Sequence, residues 1–167
     1  MRVMVTGHRP QSFTLEEEAF VKRNLHRALS FFKERGLTEA ISGMALGADS
    51  WWAETALAQE VPLAAYIPFE GQALRWSAEQ QAHWRELRAA ASRELVVSPT
   101  PGVRALFARN GAMLRDADAA VVCLKLSSTK GGTKHCYEQL LKREIPHILI
   151  DVEAHRIRGR WLETMEG

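Results

Sequence analysis

Six short apolar runs divide the chain, and longer segments with apolar residues at helical spacing separate them. The runs cover residues 3–5, 40–42, 63–67, 95–97, 119–124 and 147–150. Because their apolarity is continuous rather than alternating, they predict parallel strands that are covered on both faces. Strands that alternate with helices imply right-handed crossovers, so the pattern predicts an α/β fold with a doubly wound, mainly parallel sheet.

Five helices are predicted between these strands. The first covers residues 15–32, with a capping box formed by Thr14 and Glu17 and a stop at Gly36. The fifth is predicted to begin at a cap formed by Thr133. The other three are predicted over residues 49–59, 77–92 and 103–115, the middle one with Ser77 and Gln80 as its capping box.

Length and composition fit one domain. The chain has 167 residues, of which 46% are apolar and 25% are charged, and a chain of this size buries roughly 70% of its unfolded surface. We predict one domain over residues 1–150. Beyond residue 150 the periodicity is lost, so residues 151–167 are predicted to form a C-terminal tail that is docked, in contact with a second copy, or disordered.

Charge and cysteine content exclude several classes of protein. A formal net charge of +2, without clusters of Lys and Arg, disfavours a dedicated nucleic-acid binder. Cys123 and Cys136 have no metal-ligand spacing, so we expect two reduced core thiols and no metal site. No apolar stretch approaches the ~20 residues of a membrane helix, and a cytoplasmic protein is the expectation. Sequence leaves a homo-oligomer open.

Three glycine-bearing turns follow predicted strands and precede predicted helices. Such a turn leaves backbone N–H groups unpaired at a helix N-terminus, where the helix dipole also favours an anion. In a doubly wound sheet the carboxyl ends of the strands meet at one edge, so we expect the three turns to form one phosphate-binding crevice. The turns contribute Thr6, Gly7, His8 and Arg9, then Gly43, Met44, Gly47 and Asp49, and finally Lys130, Gly131, Gly132 and Thr133.

The sequence allows two roles for Asp49 and for some aromatic residues near the turns. Asp49 fits either a helix cap or an acceptor for a ribose hydroxyl. Trp51 and Trp52 are expected to pack against the sheet rather than stack on a base. The segment 68–71, which includes Pro68 and Phe69, either covers the crevice as a lid with Phe69 against a base or is an ordinary connection.

An ordered set of short segments resembles one known family. The segments are 6–10, 43–49 followed by 52–56, 67–72, the pair Arg109 and Asn110, and 131–133. Together they look like the YpsA/YspA branch of the SLOG superfamily, which unites the DprA/Smf DNA-processing proteins with the LONELY GUY (LOG) enzymes. The resemblance covers about residues 2–150. It implies a Rossmann-like fold that binds nucleotides or nucleotide-derived ligands.

The resemblance to the LOG enzymes is partial. Those enzymes cleave the N-glycosidic bond of nucleoside monophosphates, and the Arg109–Met113 segment is similar to their Arg-Lys-x-x-Met helix motif. By that likeness Arg109 is a candidate contact for phosphate or the transition state. Cys136 stands where the LOG pattern has a catalytic Glu, and Glu138 lies two residues further along the helix. This departure disfavours hydrolysis, because the carboxylate must lie close to the sugar.

We therefore expect a binding module for a mononucleotide or an NAD-like or ADP-ribose-like molecule, with no required cofactor. The first alternative is a nucleotide N-glycosidase that uses Arg109 with Glu70 or Glu138. The second is single-stranded DNA binding along the sheet edge, with Arg9, Lys125 and Lys130 on the backbone and Phe69 or Trp76 stacking on bases.

Overall fold

The computed structural model describes residues 1–159, which form a seven-stranded sheet in the order β4-β3-β2-β1-β5-β6-β7. The first six strands are parallel, and β7 runs antiparallel to β6. The strands are β1 (Arg2–Gly7), β2 (Glu39–Ser42), β3 (Leu63–Ile67), β4 (Arg93–Val96), β5 (Ala119–Leu124), β6 (His147–Asp151) and β7 (Arg156–Arg158).

Helices cover both faces of this sheet. Side chains of α1, α2 and α3 pack with one face, and those of α4 and α5 pack with the other. This confirms the predicted doubly wound fold. The helices are α1 (Leu15–Lys33), α2 (Ala48–Ala58), α3 (Ala78–Ala90), α4 (Val103–Asp116) and α5 (Gly132–Lys142), and a 3-10 turn covers Pro10–Ser12.

Burial of both faces explains the continuous apolar runs. In β1, Val3 and Val5 pack under α1 and α2, whereas Met4 points to the opposite face and packs with α4 and α5. The chain moves outward from β1 to β4, then crosses back to β5 on the other side of β1. The strand order therefore reverses between β1 and β5, and a crevice opens beyond their carboxyl ends.

The predicted helix caps form at two of three positions. Thr14 and Glu17 complete a reciprocal capping box, as do Ser77 and Gln80. The prediction that Thr133 caps the fifth helix was wrong. Gly131 occupies the N-cap position with a φ of 111°, and no side chain forms a capping hydrogen bond there. The helix begins at Gly132. A glycine reaches this left-handed region without steric cost, so the helix starts earlier than a threonine cap would allow.

Cys123 and Cys136 are free and buried, and Trp51 and Trp52 are buried in the core, as predicted. Within residues 1–159, no helix combines the length and apolarity needed to cross a membrane.

Part of the predicted tail extends the sheet. The β7 strand pairs with β6, and the Arg158 guanidinium lies 3.1 Å from the Asp151 carboxylate. This ion pair joins the ends of the two strands. Residues 160–167 of the predicted tail lie outside the described residues.

Gly7 provides a test of how closely β1 packs against α2 and β5. A Cβ at Gly7 would overlap the Cβ of Ala48 and lie 2.9 Å from the Cβ of Cys123, so we expect Gly7→Val to lower the free energy of unfolding by about 3 kcal/mol. Gly111→Ala is the control, because a Cβ there meets no atom within 4 Å and helix propensity favours alanine by about 1 kcal/mol. Urea denaturation measures both, and equal stability of Gly7→Val and wild type would contradict the packing.

Candidate functional site

A cavity of about 350 Å³ lies beyond the carboxyl ends of β1 and β5, at the reversal of strand order. The predicted binding residues that line it are Thr6, Gly7, His8, Arg9, Asp49, Arg109, Asn110, Gly132 and Thr133. The predicted residues outside its lining are Gly43, Met44, Gly47, Pro68, Phe69, Lys130 and Gly131. All three turns reach the predicted edge of the sheet, and they contribute unequally to the cavity.

The first turn is fixed by His8. Its Nε2 accepts a hydrogen bond of 3.1 Å from the backbone N–H of Lys125, directly after β5. Burial lowers the pKa of His8, and the nearby charge of Lys125 lowers it further. The imidazole is therefore neutral, with its proton on Nδ1. His8 ties the turn after β1 to the turn after β5.

Gly47 and Met44 of the second turn pack against protein, whereas Ala45 and Asp49 line the cavity. Gly47 has a φ of 89°, and a Cβ there would lie 2.5 Å from the carbonyl oxygen of His8. The N–H of Ala48, at the first position of α2, donates a 3.3 Å hydrogen bond to that same carbonyl. The N-terminus of α2 is thus partly satisfied inside the protein. Met44 is completely buried in the core.

Beneath this turn lie two buried charged side chains, Asp49 and Arg109. Asp49 Oδ2 accepts a 3.3 Å hydrogen bond from the N–H of Ala45. Arg109 donates from Nη1 to the carbonyl of Gly43 and from Nε to Asn110 Oδ1 at 2.9 Å. A Cβ on Gly43 would lie 2.7 Å from Arg109 Nη1 and 2.8 Å from Asp49 Oδ2. The absence of a side chain at Gly43 therefore makes room for both groups.

The two buried groups influence each other's ionisation. Burial raises the pKa of Asp49, and the positive charge of Arg109 opposes this rise. Burial likewise lowers the pKa of Arg109, opposed by the negative charge of Asp49. Each charge reduces the cost of burying the other, and both side chains line the cavity.

The third turn presents an open helix N-terminus. Within residues 1–159, the backbone N–H groups of Gly132, Thr133 and Lys134 have no hydrogen-bond acceptor, and no side chain caps α5. Gly132 and Thr133 line the cavity. Unpaired amides and the positive end of the helix dipole therefore meet there, which is the arrangement that binds anions.

One face of α4 supplies an apolar wall that sequence analysis missed. Its members are Val103, Leu106, Phe107 and Met113. Val103 and Phe107 are 65% and 46% exposed, unusually high for large apolar side chains, and the Phe107 ring packs edge-on against His135. The spacing of three, four and seven residues was the available signal, since it places these side chains on one helix face. The turn residues Gln11, Ser12 and Ala45 complete the lining.

The candidate carboxylates Glu70 and Glu138 lie elsewhere. Glu70 forms an ion pair of 2.8 Å with Arg88, and Glu138 is exposed on α5, outside the cavity lining. Gln72 directly follows the candidate lid segment 68–71. Its side chain donates to the Gly43 carbonyl at 3.0 Å and accepts from Trp84 Nε1 at 3.1 Å. Among the lining residues of the described chain, Asp49 supplies the carboxylate.

Cys136, which the sequence resemblance aligns with a glutamate of the LOG pattern, carries an inert thiol. Burial raises the pKa of its thiol to about 11, although a hydrogen bond with Thr6 opposes this shift. The thiol is therefore neutral at physiological pH and is no activated nucleophile. In residues 1–159, no group of three or more His, Cys, Asp or Glu side chains is placed to hold a metal ion.

The sheet order, the crossovers and the crevice at the reversal point define an α/β protein of the Rossmann-like class. A family model described as the YspA SLOG family matches residues 3–154, and the chain belongs to that family. The resemblance seen in the sequence is confirmed.

Two curated relatives match most of the chain. A UPF0398 protein of Bacillus velezensis is 28% identical over 155 residues, which cover 86% of this chain and 85% of the relative. A UPF0398 protein of Oceanobacillus iheyensis is 27% identical over 153 residues, which cover 84% of this chain and 82% of the relative. The likeness extends along most of each protein.

Solved structures share the fold. DNA processing protein A of Streptococcus pneumoniae superposes with a TM-score of 0.62 at 17% identity, over 89% of this chain but only 49% of that one. The Moco carrier protein of Chlamydomonas rheinhardtii superposes with a TM-score of 0.56 at 15% identity, over 89% of this chain and 74% of that one. At these identities the likeness concerns the fold alone, and this chain spans about half the DNA processing protein.

The neutral state of His8 predicts a pH dependence of stability. Because the folded pKa of His8 is lowered, its contribution to stability is present above the ordinary histidine pKa of about 6.5 and is lost as pH falls below it. We expect His8→Gln, whose amide oxygen also accepts from Lys125, to lose less stability than wild type between about pH 7.5 and about pH 5.5. Urea denaturation at both pH values measures the difference, and equal losses would contradict the assignment.

Proposed function

We propose that this protein binds a nucleotide or a nucleotide-derived molecule in the crevice beyond β1 and β5. The observation that carries the proposal is the pairing of two unlike surfaces in one cavity. Unpaired amides of α5 and the side chain of Arg9 lie on its lining together with the apolar face of α4. A nucleotide has the same two parts, an anionic phosphate and a flat apolar base.

The phosphate is assigned to the N-terminus of α5. Gly132 and Thr133 offer backbone N–H groups, and Arg9 adds an exposed guanidinium that makes no hydrogen bond or ion pair with another described side chain. Hydrogen bonds to a charged group contribute about 1.5 to 3 kcal/mol each. Three or four of them, less the cost of association, support micromolar affinity, roughly −8 kcal/mol.

The base is assigned to the wall formed by α4. Phe107 offers an aromatic surface, and Val103 and Leu106 extend it along the helix. Burial of exposed apolar side chains against a base adds favourable free energy of about 25 cal/mol per Å². A cavity of about 350 Å³ falls within the range of small-molecule sites, and a mononucleotide is the expected minimum ligand.

Binding, rather than turnover, is the function that the geometry supports best. The lining carboxylate, Asp49, is buried beside the positive charge of Arg109, and Glu138 lies on an exposed part of α5. The neutral thiol of Cys136 gives no nucleophile. A protein that binds a nucleotide without turning it over can act as a sensor of nucleotide concentration.

Gly132→Val tests the phosphate seat. A Cβ at Gly132 meets no atom within 4 Å, so valine fits the fold but occupies space beside the N–H groups of α5. We expect it to weaken binding at least about tenfold, which corresponds to 1.4 kcal/mol. Titration calorimetry with nucleoside monophosphates, NAD and ADP-ribose provides the measurement.

Gly111→Val is the matched control for this variant, because Gly111 also has open space but lies outside the cavity lining. It is expected to bind like wild type. If no member of the panel binds wild type more tightly than about 1 mM, or −4.1 kcal/mol, the proposed function is wrong. If Gly132→Val binds like wild type, the position of the phosphate is wrong.

Arg9→Ala tests the electrostatic contribution. Loss of this guanidinium from the crevice is expected to weaken phosphate-bearing ligands about threefold to tenfold at low salt, and less at high salt, because salt screens exposed charges. Arg104→Ala removes the same charge from an exposed position of α4 that does not line the cavity. Calorimetry at two ionic strengths compares the two variants. Equal weakening in both would mean that only the net charge of the protein matters, and would contradict a direct role of Arg9 in the crevice.

A further inference from the structure

A second cavity, of about 380 Å³, lies on the other side of the turn after β1. Pro10 and Gly47 line this cavity but not the crevice, whereas Arg9 and Gln11 line the crevice. Its wall is aromatic and acidic, and the residues that matter are Trp51, Trp76, Trp84, Glu54, Glu79 and His83. The proposed nucleotide function uses none of them.

We propose that this second cavity binds a small organic cation of the quaternary ammonium class. Indole is the aromatic side chain that attracts cations most strongly, and rings grouped around a pocket are the usual recognition device for such ligands. Three of the chain's five tryptophans line this one cavity. The proposal is independent of nucleotide binding in the crevice.

The protein already places its own cations over two of these rings. Lys22 Nζ lies 5.1 Å from the centroid of Trp51, and Arg88 Cζ lies 5.4 Å from that of Trp84. Both rings are about nine-tenths buried. Trp76 is only partly buried, and within the described part of the chain no cation lies over its ring. Trp76 is therefore the ring that remains for a cation from solution.

The charges around the cavity also favour a cation. Glu54 and Glu79 contribute carboxylates, and the described lining contains no Lys or Arg. His83 Nε2 lies 2.7 Å from Glu54 Oε1 and is occupied by that contact. These carboxylates attract a positive ligand and repel phosphate, in contrast to the guanidinium of Arg9 and the unpaired amides of α5 in the crevice.

One feature of the backbone opposes a cation and is compensated locally. The N-terminus of α3, whose dipole favours anions, lies at the cavity through Ser77 and Gln80. The capping box of these two residues satisfies two backbone N–H groups, and Glu79 places a negative charge in the first turn. A hard metal ion is a poorer fit, because it requires more oxygen ligands than two separate carboxylates supply.

Titration with choline tests the proposal. The neutral control ligand is 3,3-dimethyl-1-butanol, which has the shape of choline without its charge. We expect choline to shift the indole Nε1–H resonance of Trp76 in a heteronuclear NMR spectrum and to bind roughly tenfold more tightly than the alcohol. Equal binding of the two, or a saturating titration that leaves the Trp76 resonance unmoved, would overturn the proposal.

Two variants locate the interaction. Trp76→Leu keeps an apolar side chain, and Glu79→Gln keeps size and hydrogen bonding while removing the charge. Each is expected to weaken choline roughly threefold to tenfold. Glu86→Gln is the control, since Glu86 also contacts His83, at 3.7 Å, but does not line the cavity. Wild-type affinity in Trp76→Leu and Glu79→Gln, or an equal loss in Glu86→Gln, would also refute the assignment.

Discussion

Close contact between the turn after β1 and the N-terminus of α2 determines the shape of the functional edge. Gly7 lies against Ala48, and Gly47 lies against the carbonyl of His8, at distances that leave no space for a side chain. The same carbonyl accepts the first amide of α2. This contact fixes one wall of the crevice and gives the first amide of that helix an acceptor inside the protein. The N-terminus of α5, by contrast, stays open at the crevice, where we propose that the phosphate binds.

The sequence predicted the architecture well because local and global signals agree. Continuous apolar runs, helical spacing between them and two capping boxes all indicated the doubly wound sheet that the structure contains. The three glycine turns reach the predicted edge. Their separate roles were not predictable, because a glycine that opens a ligand site and a glycine that permits close packing look alike in sequence. The close contact of Gly47 with the carbonyl of His8, and the open space around Gly132, distinguish the two.

Only part of the candidate site could be predicted, because the sequence does not show which side of a helix faces the crevice. The sequence indicated that α4 is a helix and that Arg109 belongs to it, but the position of a helix around its own axis depends on packing with the sheet. That packing buries Arg109 under Gly43 and leaves Phe107 nearly half exposed at the crevice. The early start of α5 at Gly132 was missed because Gly131 adopts a backbone conformation that no sequence pattern required.

The outer strands of the sheet bear on self-association. An unpaired strand edge is a template for pairing with another chain, and charged side chains on a short strand discourage it. Within residues 1–159, one outer strand is β4, with Arg93 and Glu94 exposed, and the other is β7, which has three residues and exposes Arg156 and Arg158. Both borders of the described sheet therefore disfavour continuous strand pairing between copies, so its helices and loops are the surfaces better suited to contact with a second copy.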